Sequence, residues 1–293
     1  MKQYNIAFTA FCLFIFIALT AFIPTVSAQD GDKPLVVTSI KPLAIIVKSA
    51  FQDRVKVDYL MPAAQSPHDV VLKLSDIRTL TAADFVFWIG PDFETSASKQ
   101  FAGITASNLI TAMALIGSEH MLSTENDHHK DDHHDHDFDP HIWLSPTLAK
   151  QLVTVLSARL NIPAQDIFSP LAEKKVKDLL DEAKNGNYIV HHQAFDYFIN
   201  EFKLQPGLPI RDMLGKQQGA KTQFNLRLEG EKRGVSCVFI EPQHGHKDAA
   251  AVANDLAVPT KTIDILAVTY ESELPSYESY IYGLAQQFSA CFK

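Results

Sequence analysis

Short, β-branched, largely apolar runs alternate with helical segments along most of this chain, and that alternation constrains its fold more than any other feature. Leu35–Ile40 (LVVTSI) suits a parallel strand buried on both faces, because the covering helices leave neither face to water. The helical segment KPLAIIVKSAF follows, with Pro42 in its first turn, where a missing N–H costs nothing. A strand-like VKVDYLM, the loop PAAQSPHD, a helical VVLKLSDIRTLTAA and the apolar DFVFWIG complete a strand–helix–strand–helix–strand order, which predicts a parallel sheet.

Past residue 144 the pattern turns helical. Ser145 followed by Pro146 reads as an N-cap with proline at the first helical position, leading into TLAKQLVTVLSARL. A second helix, PLAEKKVKDLLDEAKNG, ends at Gly186 and carries a solvated charged face. The α/β rhythm then resumes with YIVHH, helix AFDYFINEF, an irregular LQPGLPIRDMLG, helical KTQFNLRLEGEKRG, strand VSCVFIEP, helix DAAAVANDLA, strand TKTIDIL and a final helix around SYESYIYGLAQQFSA. No fixed-period repeat is visible. The expected architecture is α/β, with two lobes built on parallel sheets and joined by a linking helix. The boundaries read as 29–144 for the first lobe, 145–186 for the link and 187–293 for the second lobe, with a cleft between the lobes.

The first 28 residues have the form of an export signal, a lone Lys2 before an apolar run that ends in Val26-Ser27-Ala28. The mature chain is expected to be exported to the periplasm. Its formal charge of −8, or −9 without Lys2, argues against nucleic acid as a partner. Outside that leader only Cys237 and Cys291 remain, an even pair in an oxidising compartment that is expected to be bonded.

Open parallel sheets bind ligands in the crevice beyond the carboxyl ends of their strands. Four candidate ligands fall at strand ends or in loops entering helices: His68 in SPHD, His141 in DPHIW, His192 ending YIVHH, and Asp264 ending TKTID. Strand periodicity alone does not choose between His192 and His191, since neighbours face opposite sides. Three imidazoles and a carboxylate make a four-coordinate set that suits Zn2+. Calcium or magnesium would call for oxygen ligands. His244 and His246, in EPQHGH, read as surface histidines, and Glu241 as a buried structural glutamate.

The segment from Gly117 to Asp139 is longer than ordinary connections and contains His120, His128, His129, His133, His134 and His136. From Glu119 to Asp139, eight acidic residues oppose Lys130 alone, a formal −7. Such a loop attracts divalent cations and offers replaceable imidazole ligands, so it reads as a weak, multi-site auxiliary zinc collector.

Taken in order, PAAQSPHDVVLKLSD, DPHIWLSP, IVHHQAFDYF, CVFIEPQ and TIDIL resemble the landmarks of the metal-binding solute-binding proteins of ABC transporters (cluster A-I). Within that group the chain is most similar to the periplasmic zinc-uptake, ZnuA-like branch. The resemblance runs from about residue 34 to the end. It implies His68, His141 and His192 as ligands, His192 in preference to His191, and Asp264 in the fourth position. It also implies a disulfide between Cys237 and Cys291 and an ABC transporter permease as partner, with the protein expected to be monomeric and not an enzyme. A histidine at position 192 implies zinc, because the manganese-selective branch has a glutamate there. The stretch between DPHIW and YIVHH is shorter than the family pattern and interrupted by Asn161-Ile162-Pro163 and Ser169-Pro170, so a truncated spine helix is expected. Two other classes compete. A secreted zinc hydrolase needs an open coordination position and an adjacent acid or base, and HHDHD lacks the HxHxDH spacing. An extracellular adhesin or metal buffer needs no permease.

Overall fold

A computed structural model of the chain describes residues 33–117, 121–122, 138–270 and 273–293. The expected export signal and nearly all of the histidine-rich loop, including its six histidines, lie outside these residues. Two four-stranded parallel sheets organise residues 34–293. In the first, β1 (Leu35–Thr38), β2 (Lys56–Tyr59), β3 (Phe85–Trp88) and β4 (Leu109–Thr111) lie in the order β2-β1-β3-β4. In the second, β5 (Ile189–His192), β6 (Leu208–Arg211), β7 (Val238–Ile240) and β8 (Thr260–Thr262) follow the same order, β6-β5-β7-β8. The repetition is one of topology, with no matching sequence period.

Helices α1 (Lys41–Phe51), α2 (Leu74–Ala82), α3 (Ser98–Ala102) and α4 (Ala112–Leu115) belong to the first half. Helices α5 (Pro146–Leu160) and α6 (Pro170–Leu180) link the halves, and α7 (Asp196–Phe202), α8 (Ala220–Arg233), α9 (Lys247–Asp255) and α10 (Tyr277–Ser289) complete the second. Val36, Val37, Val86 and Phe87 are fully buried, as the apolar runs require, each contributing about 1.5–3 kcal/mol by leaving water.

Two elements differ from the sequence reading. The segment taken as irregular, LQPGLPIRDMLG, contains β6. Its Pro209 pairs with Val190 on an edge strand, which needs ladder donors on one side only. Strand β4, three residues long, is too short to carry a periodic signal.

The link consists of two helices. Ser145 caps α5 by accepting from the Leu148 amide, and Asn161, left-handed at φ 53°, ends it. Ser169 caps α6 through the Ala172 amide. α5 packs on α1, whereas α6 packs on α10, which also reaches α1. Phe288 of α10 stacks on Phe239 and meets Tyr188 edge-on, so the C-terminal helix also covers the second sheet. Cys237, just before β7, is bonded to Cys291 just after α10, with 5.6 Å between their Cα atoms. Closing that loop is worth about 4 kcal/mol on the chain-entropy model.

Candidate metal centre

Strand order reverses between β1 and β3 and again between β5 and β7, so the loops diverge above those strand ends and leave room for a ligand. Three buried imidazoles arrive there from separate places. His68 comes from the loop after β2, His141 from the segment entering α5, and His192 is the last residue of β5. One ligand nitrogen from each ring lies within 4.8 Å of the others. The Nε2 atoms of His141 and His192 are 3.3 Å apart.

In all three rings Nδ1 is already engaged. His68 Nδ1 lies 3.2 Å from the Phe93 carbonyl oxygen, which can only accept, so Nδ1 bears the proton and Nε2 the lone pair. His141 Nδ1 lies 2.7 Å from Asp139 Oδ1, which also accepts the His141 amide at 2.9 Å. His192 Nδ1 lies 2.6 Å from Glu241 Oε1. Such partners fix the tautomer and orientation of a metal-ligating imidazole and raise its basicity.

Burial also keeps His141 and His192 neutral, the form that binds a metal. It pushes His141 down to about 3, and it moves His192 well below the ordinary imidazole value, helped by the neighbouring His141. The same burial raises Asp139 and Glu241 to about 7. The space the rings enclose with Phe93, Trp143 and Ile265 is about 10 Å³, enough for roughly one small sphere.

Trp143 braces this arrangement. Its indole Nε1–H donates to the Ile265 carbonyl at 3.0 Å, Tyr280 donates to the same oxygen, and Tyr277 donates to the Trp143 carbonyl. The segment after β8 is thereby fastened beside His141.

Asp264 is not brought into the cluster. Oδ1 accepts the Val268 amide, and Oδ2 accepts the amide and hydroxyl of Thr269, so the carboxylate closes the turn after β8. His191 faces away from the cluster. Its Nε2 meets Asp248, which also binds Arg211, and its Nδ1 accepts from the Glu241 amide. His191 therefore steadies the residue that holds His192.

Three partners escaped sequence reasoning. Asp139 stands two residues before His141 and Glu241 directly follows β7, positions that signal a supporting carboxylate once the ligands are placed. The Phe93 carbonyl leaves no trace in a sequence. His244 corrects the surface assignment: it is half-buried, lines the same space, and stacks edge-on to His192 at 4.9 Å, whereas His246 is exposed. Glu241, the base a hydrolase reading would require, is committed to His192 and Gln243.

A family model described as the zinc-uptake complex component A, periplasmic (ZnuA), matches residues 36–164 and 171–291. The chain belongs to the ZnuA family. The high-affinity zinc uptake system protein ZnuA of Yersinia pestis is 30% identical to it over 289 residues, 88% of this chain and 91% of that protein. Among solved structures, a zinc-bound ZnuA deletion mutant superposes with a TM-score of 0.71 at 22% identity, covering 89% of this chain and 98% of that one. The periplasmic zinc-binding protein TroA of Treponema pallidum gives 0.72 at 20% identity, with 89% and 99% covered. These two likenesses establish a common fold. By family and fold, this ZnuA-family chain is a non-catalytic solute-binding protein with a buried histidine cluster suited to zinc. Among the described residues no helix is long and apolar enough to cross a membrane.

Proposed function

We propose that this chain captures Zn2+ in the periplasm with His68, His141 and His192 and delivers it, as a monomer, to the permease of an ABC transporter. One observation carries the reading: three buried imidazoles converge with Nδ1 engaged in each, which turns three Nε2 atoms toward one ion. Nitrogen ligands in this number favour zinc over manganese. Asp264, the other candidate for the fourth position, already accepts three hydrogen bonds on its two oxygens and would have to coordinate alongside them. Ser66 Oγ and Gln243 Oε1, buried without hydrogen-bond partners among the described residues, belong to residues lining the pocket, so an oxygen donor from this side costs no existing bond.

The assignment of 1–28 as a cleaved leader, of 29–144 and 187–293 as lobes and of 145–186 as their link belongs to the same proposal. So does the auxiliary role of the loop, whose −7 charge and His120, His128, His129, His133, His134 and His136 would concentrate zinc beside the cleft. The test is competition titration of the mature protein against a chelator. Alanine at His68, His141 or His192 is expected to weaken tight binding by orders of magnitude with the fold intact. Deleting residues 120–137 is expected to keep the tight site, remove the weaker equivalents and slow capture at low ionic strength. Unchanged affinity in all three alanine variants contradicts the site, and unchanged stoichiometry and rate in the deletion contradict the role of the loop.

A further inference from the structure

His244 sits in a turn that the structure folds back over the end of the second sheet. Its amide donates to the Glu241 carbonyl at 3.1 Å, bringing its ring 4.9 Å from that of His192 and 5.1 Å from that of His191. Gly215, at φ +73°, lets the neighbouring loop approach; a Cβ there would stand 3.2 Å from His244 Cε1. Among the described residues the His244 ring packs on the rings of His191 and His192 and makes no side-chain hydrogen bond.

A ligand atom of His244, one of His192 and a carboxylate oxygen of Glu241 lie within 4.8 Å of one another. Two imidazoles and a carboxylate are a zinc donor set in their own right. This grouping overlaps the three-histidine cluster at His192 but does not include His68 or His141, so it marks a second position, displaced toward the loop after β7. His244 and Gln243 nevertheless line the same space as the first cluster, so the two positions communicate.

We propose that His192, Glu241 and His244 form a second, weaker zinc position through which the ion passes on its way into and out of the three-histidine site. This inference rests on reading that site as the zinc pocket. The two positions compete. An ion held by Glu241 draws on the oxygen that orients His192 for the tight site, and both positions use the His192 ring. The second position is therefore occupied in transit and left when the ion settles between His68, His141 and His192.

The test uses mature protein lacking residues 120–137, titrated with zinc by calorimetry and followed by circular dichroism for folding. In the His68→Ala/His141→Ala background one weak equivalent of zinc is expected to remain, and adding His244→Gln is expected to abolish it. In the otherwise intact pocket, His244→Gln alone is expected to slow both capture and release several-fold in stopped-flow experiments; this second measurement decides the matter if the multiple variants fail to fold. A weak equivalent that survives His244→Gln, or unchanged rates in the single variant, overturns the proposal. Tight binding that persists in the double alanine background would instead contradict the three-histidine reading, and its response to His244→Gln would still decide the second position.

Discussion

The two sheets share one strand order, and each has a fully buried glutamate near its switch point, Glu94 in the loop after β3 and Glu241 directly after β7. Burial raises both to about 7. Their partners differ. Glu94 turns back on its own loop, accepting the Ile89 amide at 3.1 Å and the Gly90 amide at 2.9 Å. Glu241 reaches across to the neighbouring strand and holds the His192 ring. The first lobe instead fixes its histidine, His68, with the Phe93 carbonyl. One topology thus offers the same polar station twice, and the partner within reach decides whether the carboxylate shapes a loop or orients a ligand.

This difference is open to direct attack. Glu241→Gln is expected to weaken zinc binding about 10–100-fold, the usual cost of losing the partner of a ligating histidine. Glu94→Gln is expected to leave zinc affinity alone and to lower stability by about 1–3 kcal/mol, because its amide nitrogen cannot accept from a backbone N–H. Titration and denaturant unfolding of both variants would separate the roles; equal losses of affinity would dissolve the contrast.

A smaller effect concerns pH. In the metal-free protein Asp139 and Glu241 take up protons as pH falls through about 7, whereas burial keeps His141 neutral down to about 3 and His192 neutral well below its ordinary range. A bound dication favours the ionised carboxylates, so the complex holds fewer protons than the free protein below pH 7. Affinity should therefore rise with pH up to about 7 and level off above it, driven by carboxylates rather than imidazoles. Calorimetry in buffers of different ionisation enthalpy should find more protons released per zinc at pH 6 than at pH 8.

Much of the fold was legible because buried parallel strands and capped helices leave local marks: β-branched runs, Pro42 in a first turn, Ser145 before Pro146. Strands β4 and β6 were not, the one being three residues long and the other containing Pro209. At the site, His68, His141 and the His191–His192 pair stood out as histidines at strand ends and helix entries, and only the family resemblance selected His192. Asp264 looked equivalent because a sequence shows where a carboxylate stands but not which amides it already serves. His244 was set aside for the converse reason. Nothing local to EPQHGH reports a turn that returns its ring to His192, and that return depends on contacts remote in sequence.

The central claim is that His68, His141 and His192 together hold the ion, with Asp139 and Glu241 behind two of them. A crystal structure of the zinc-loaded mature protein with anomalous data at the zinc edge tests it most directly. The predicted result is a peak about 2.0–2.1 Å from Nε2 of each of the three histidines, with the Nδ1 contacts to Asp139 and Glu241 preserved. A tight-site peak lacking any of the three nitrogens, or coordinated by His191 in place of His192, would contradict it.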